Sequence, residues 1–170
     1  MAMSTGIKTA LVAVAFAAAG VGGYLAMNKG EAAPNVSFTS IKGEPGTLAG
    51  LKGKVVLVNF WATSCSGCMH EMPELIATHQ KYQARGFETV SIAMSYDPPN
   101  YVLNYAQSKQ LPFFVTLDSE GKLAEAFGGI LGTPTSFVID KRGKIVRRYL
   151  GEPNFAELHQ LLEQKLAEPA

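Results

Sequence analysis

Hydrophobic positions along this chain fall into three kinds of run. The first is residues 9–28, twenty uncharged residues, mostly Ala, Val, Gly and Leu, between Lys8 and Lys29. It has no polar face, so it does not read as a helix buried in a soluble core. The second kind is the short, dense apolar run of a buried strand. Val55 to Phe60 is the strongest of these, Phe87 to Met94 (FETVSIAM) alternates behind it, and Pro112 to Leu117 (PFFVTL) is a shorter third. The third kind is helical spacing from about Cys65 to Arg85, with Gly86 as its stop and a kink expected at Pro73, where proline removes a backbone donor.

Past the turn Asp97-Pro98-Pro99-Asn100 the pattern predicts a helix over Tyr101 to Lys109, a one-to-two-turn helix over Lys122 to Phe127, and an amphipathic helix over Asn154 to Ala167. Thr135 to Asp140 and Lys144 to Tyr149, joined at Lys141-Arg142-Gly143, read as an antiparallel hairpin. Val36 to Ile41 is expected as an edge strand and Gly43 to Lys54, with four glycines and Pro45, as loop and turns. This order of elements predicts an α/β fold, a mixed sheet with helices on both faces. It spans residues 34–170 behind a separate N-terminal segment, 1–33, in which Gly30 to Pro34 is a flexible exit.

The apolar stretch suits either a membrane-spanning helix of about 20 residues or the core of a signal peptide. Small residues within the run, and Ala33 with Pro34 after it, are the candidate cleavage points. An uncleaved anchor is the favoured reading, and both readings put the rest of the chain outside the cytoplasm, with the amino terminus and Lys8 inside. The expected location is thus a bacterial inner membrane, with the folded domain on its periplasmic or outer side. A net charge of +1 with 17% charged residues gives no concentrated basic face, so nucleic acid is not an expected partner.

Both cysteines, Cys65 and Cys68, stand two residues apart where the strongest strand gives way to the longest helix. A helix N-terminus offers unpaired N–H groups and a positive dipole end, which stabilise a thiolate at Cys65. Cys68 lies on the same helical face and can resolve a mixed disulfide formed there. So short a loop between cysteines restrains the unfolded chain little, which suits a disulfide used for chemistry rather than for stability. Zinc is disfavoured, because two cysteines would need to recruit His70, His79, His159 or carboxylates to complete a tetrahedral site. His70 reads as a surface helix residue, and Met69 between Cys68 and His70 breaks the haem-attachment spacing.

The string VVLVNFWATSCSGC, the MPEL at Met72 to Leu75, the GTPTSFVID at Gly132 to Asp140 and the N-terminal apolar stretch together resemble the TlpA/ResA-like membrane-anchored thiol-disulfide oxidoreductases of the thioredoxin superfamily. The resemblance covers nearly all of residues 34–170 and implies a thioredoxin-like fold. It also implies a cis Thr133-Pro134 peptide packed against the disulfide, where the backbone of Thr133 pairs with an extended substrate. By the same likeness Trp61 both packs and shields the disulfide. The implied substrate-binding set is Trp61, Ser64, Thr133 and Pro134, and the catalytic set Cys65, Cys68 and Glu71. The redox-active disulfide needs no cofactor. Implied partners are disulfide-containing client proteins in cytochrome c maturation or oxidase copper-site assembly, with a membrane electron donor supplying the reducing equivalents.

Three positions depart from that pattern. Ser64 stands where the family often has a second Trp, making one wall of the substrate surface smaller and more polar. Asn59 stands where thioredoxin has a buried Asp, and an amide cannot do acid-base work. Glu71, three residues after Cys68, is the compensating candidate; the plainer reading is a solvated helix residue. The Ser66-Gly67 pair between the cysteines lacks the usual proline, and the Ser66 hydroxyl is a candidate donor to the Cys65 sulfur. Function stays open among a reductase of protein disulfides, a thiol oxidant or isomerase, and a Sco-like copper-binding metallochaperone using two cysteines and a histidine. A peroxiredoxin-type peroxidase is disfavoured, since Ala62 takes the place of its turn threonine.

Overall fold

The computed structural model describes residues 30–170. The anchor or signal reading of the apolar stretch therefore lies outside the described residues, and among these no helix is long and apolar enough to cross a membrane. A six-stranded mixed sheet runs in the order β1-β8-β7-β4-β5-β6, with β1 Glu31–Ala32, β4 Val55–Trp61, β5 Phe87–Ala93, β6 Phe114–Leu117, β7 Thr135–Ile139 and β8 Lys144–Leu150. β4, β5 and β6 are parallel, whereas β7, β8 and β1 join antiparallel. A separate two-stranded ribbon pairs β2 (Ser37–Thr39) with β3 (Pro45–Thr47). This is the thioredoxin-like arrangement.

β4 is the axis of the fold because every one of its residues is buried. Its β-branched and aromatic side chains fit a strand covered on both sides. Val55, Leu57 and Trp61 face helices α1 (Ser66–Tyr82), α2 (Pro99–Ser108) and α4 (Phe155–Ala167) in one apolar cluster with Cys68, Met72, Leu75 and Leu162. Val56, Val58 and Phe60 face a second cluster with Leu123 and Phe127 around α3 (Lys122–Ala126) and with Phe38 of the ribbon. The crossover from β4 to β5 is α1 itself, the connection parallel strands require. Its last turn tightens into a 3-10 turn, Gln83–Arg85, and ends at Gly86 with φ +89°, a left-handed conformation that suits glycine.

Three local expectations shift. Glu31 and Ala32, expected within a flexible exit, form β1 by pairing with Ile145 and Lys144, and the Ala33 N–H donates to Gly143 O at 2.9 Å. Pro45 to Thr47, expected as loop, pairs with β2. Gly46 makes this possible, since a Cβ there would lie 2.6 Å from a Phe38 ring carbon. α1 runs through Pro73 to Tyr82 as the pattern predicts, with Pro73 on its exposed side. α2 begins at Pro99, two residues early, because proline is well placed in a first helical turn.

Candidate active site

Cys65 is the N-cap of α1, and its sulfur accepts a hydrogen bond from the Cys68 backbone N–H at 3.1 Å. Main-chain geometry, rather than the Ser66 hydroxyl, thus supplies the donor to that sulfur. The two cysteines are joined as a disulfide with their Cα atoms 5.2 Å apart. Cys65 is half-buried and Cys68 fully buried, so an incoming reactant meets Cys65 first. In the dithiol form, the N–H group and the helix dipole aimed at Cys65 favour negative charge on its sulfur and suit it to be the nucleophile.

Beneath the helix lies a polar rung. Asn59 of β4 is in register with Ser91 of β5 on one side and with Ser136 of β7 on the other, and all three are fully buried. The Asn59 amide donates to Glu71 Oε1 at 2.8 Å and to Ser136 Oγ at 3.0 Å. Glu71 is 0% exposed, which excludes the solvated-residue reading. Burial pushes its pKa up from 4.5 to about 7, the Asn59 bond opposes that rise, and the charge of Glu152 adds to it. Glu71 Oε2, Asn59 Oδ1 and Ser91 Oγ have no hydrogen-bond partner among the described residues. A carboxyl so held exchanges a proton near neutral pH, one helical turn from Cys68 on the same face.

Three loops frame the disulfide. The Thr63 N–H and hydroxyl both donate to the buried Asp97 carboxylate, at 2.6 and 2.5 Å, fixing the approach to Cys65. The Thr133-Pro134 peptide is cis. Pro134 abuts the turn between the cysteines, for a Cβ on Gly67 would lie 3.5 Å from its Cδ. Half-buried Thr133 places its Oγ1 3.2 Å from the hydroxyl of Tyr96. Ser64 is exposed beside Cys65.

Trp61, expected among the substrate-binding residues, is fully buried and packs on Tyr105 with ring centroids 5.5 Å apart. It supports the site from below and has no surface to offer a substrate. Sequence reasoning missed Ser91, Ser136, Asp97 and Glu152 as parts of the site. The one signal available was Asn59 interrupting an otherwise apolar β4, since Ser91 and Ser136 share their strands with other polar residues.

The redoxin family profile matches residues 28–162, a span that takes in the cysteine turn, the Asn59 rung and the Pro134 loop. The chain belongs to the redoxin family. Thiol-disulfide oxidoreductase ResA of Bacillus thuringiensis subsp. konkukian (strain 97-27) is 35% identical to this redoxin over 139 residues, 81% of this chain and 79% of the relative. The thioredoxin-like protein YneN of Bacillus subtilis (strain 168) is 29% identical over 138 residues, 81% of this chain and 80% of YneN. Among solved structures, a thiol:disulfide interchange protein of the thioredoxin family from Chlorobium tepidum TLS superposes with a TM-score of 0.74. It shares 33% identity over 81% of this chain and 97% of its own. This redoxin is a ResA-like thiol-disulfide oxidoreductase of the thioredoxin superfamily, with Cys65-Cys68 as its redox-type pair.

Among the described residues no group of three or more His, Cys, Asp or Glu side chains is arranged to hold a metal ion. The histidine that a copper chaperone would need is not at the cysteines. His159 bonds Thr78 at 2.8 Å, ten residues along α1 from Cys68, about 15 Å at 1.5 Å per residue. His70 turns to Glu152 at 2.9 Å on the surface.

Proposed function

We propose that this redoxin is a reductase of disulfides in client proteins outside the cytoplasm, serving cytochrome c maturation or oxidase copper-site assembly. An N-terminal anchor holds it at the membrane and a membrane electron donor regenerates its dithiol. The observation that carries the reading is the fully buried Glu71 carboxyl, held by Asn59 on the Cys68 face of α1, where burial pushes its pKa up to about 7. Cys65 thiolate attacks one sulfur of the client disulfide and the client's other sulfur leaves as a thiolate. The Cys68 thiol passes its proton to the Glu71 carboxylate and attacks the Cys65 sulfur. The client's second thiolate then leaves, and two electrons have moved from the Cys65-Cys68 dithiol to the client. A buried base matters most in that second step, because a thiol inside an apolar core ionises reluctantly.

The test is the reduction potential of the Cys65-Cys68 couple, equilibrated with a thiol redox buffer. A value near that of thioredoxin, about −270 mV, supports a reductant, and the Cys68→Ser variant then traps clients as mixed disulfides on Cys65. A value near that of the strong oxidant DsbA, about −120 mV, overturns the reductase reading in favour of an oxidant or isomerase.

A further inference from the structure

A groove of about 490 Å³ opens beside the redox turn, lined by Thr63, Ser64, Tyr101, Asn104, Tyr105 and Ser108. The four α2 residues fall at helical spacing i, i+3, i+4 and i+7, so they form one stripe of that helix, facing the strand-to-helix turn that carries Cys65. The groove's depth depends on Ser64, whose small side chain leaves open a space that a bulky residue there would fill. Tyr105 forms a fixed inner wall, held by its ring contact with Trp61, while Tyr101 stands at the rim with 58% of its surface exposed. Both walls are aromatic and no lining residue carries a charge. The Ser108 hydroxyl is already engaged by the Tyr105 carbonyl at 3.0 Å, and the exposed Asn104 adds an amide.

Resting on the reading of this site as a reductase of client disulfides, we propose that this groove is a specificity pocket for an aromatic side chain next to the attacked cysteine of the client. Connectivity decides what reaches it. When a client sulfur bonds Cys65, the client residue beside that cysteine lies within one extended residue of it, about 3.3–3.6 Å of chain, and Ser64 is the immediate neighbour of Cys65. Lining chemistry decides which side chain is favoured. Two tyrosine rings reward an aromatic face by offset or edge contact, whereas a carboxylate entering the same space loses hydration without meeting an opposite charge. Tyr105 stays a neutral phenol in this role, since burial pushes its pKa up.

The experiment uses the protein reduced with dithiothreitol and synthetic peptides closed by one disulfide, with Phe, Ala or Glu placed before or after the attacked cysteine. The kcat/KM for peptide reduction is compared within each protein, so that only the ratio between peptides is read. In the wild-type protein an aromatic neighbour at one of the two positions raises kcat/KM about tenfold over Ala, and more over Glu. Tyr101→Ala and Ser64→Trp, which remove a wall and fill the space, bring the Phe:Ala ratio close to one. Equal rates for the three peptides in the wild-type protein, or an aromatic preference that survives both substitutions, overturns the pocket and leaves the reductase reading standing. Failure to reduce any peptide, while the small disulfide of hydroxyethyl disulfide is consumed, overturns both.

Discussion

The two faces of β4 are built to different rules. On one face Val56, Val58 and Phe60 enter an unbroken apolar cluster, in which Phe60, Phe127 and Phe137 pack with centroids 4.8 to 6.1 Å apart. On the other face Asn59 interrupts the row between Leu57 and Trp61, and a carboxyl descends on it from α1. The same strand therefore stabilises on one side and sacrifices stability on the other. Burying a carboxyl with a single hydrogen bond is unfavourable once it ionises. The fold retains it where Cys68 needs a proton acceptor, which is a reason to read the polar rung as functional rather than as a packing fault.

The apolar face sets the largest expected effect. Phe60→Ala should cost about 3–5 kcal/mol, from lost burial and the cavity left behind. Because the buried side chains clustered with Phe60 are apolar, urea unfolding should give the same loss at pH 4.5 and pH 8; a loss that changes with pH would break the contrast between the faces.

On the redox face Glu71→Gln should stabilise the disulfide form, and by an amount that depends on pH. The folded-state pKa of Glu71 is raised from 4.5 to about 7, so between those values the native state holds a proton that the unfolded chain has lost, and wild-type stability falls as pH rises. Below about pH 4.5 the substitution gains nothing, and above about pH 7 it gains up to about 3 kcal/mol. The Gln oxygen keeps the Asn59 bond, which isolates the charge as the cause. Unfolding curves without reductant at pH 4.5 and 8 decide it; parallel curves would refute a buried ionising carboxyl.

Asn59→Leu probes the rung from the strand side. It removes the donor to both Glu71 and Ser136, leaving two buried oxygens unpaired at about 1–3 kcal/mol each, offset in part because the unpaired Asn59 Oδ1 also leaves the core. Since the Asn59 bond holds the Glu71 pKa down, its loss should move that titration above about 7, observable as the carboxyl chemical shift against pH. A midpoint that stays put would mean that the amide only fills space.

Those predictions mark what the sequence could and could not convey. β4 and the cysteine turn were legible, because a β-branched apolar run and the only two cysteines leave little choice. Glu71 was legible as a candidate from its spacing to Cys68. The serines were not. Ser91 and Ser136 each look like the polar half of an alternating strand, and only the strand order β7-β4-β5 puts them beside Asn59. Asp97 looked like a helix start, yet α2 has no side-chain cap and the carboxylate turns back to Thr63, 34 residues away. β1 was hidden for a different reason. Glu31 and Ala32 are exposed and are held by backbone bonds to β8, which carry no hydrophobic signature.

The smallest expected effect sharpens the comparison from outside the core. Glu152 bonds His70 on the surface, with side-chain exposures of 35% and 78%, and such pairs contribute under about 1 kcal/mol. Glu152→Gln should therefore leave stability nearly unchanged. Its charge nonetheless raises the Glu71 pKa, so the substitution should lower the Glu71 midpoint, by less than Asn59→Leu raises it. Raised salt should move the wild-type midpoint in the same direction, because screening weakens a charge that reaches Glu71 from the surface. Following the Glu71 carboxyl by NMR in both proteins, at low and at high salt, separates the contributions. If the midpoint ignores both the substitution and the salt, burial and the Asn59 bond alone set the proton affinity, and the redox face is sealed from its surface charges as completely as the apolar one.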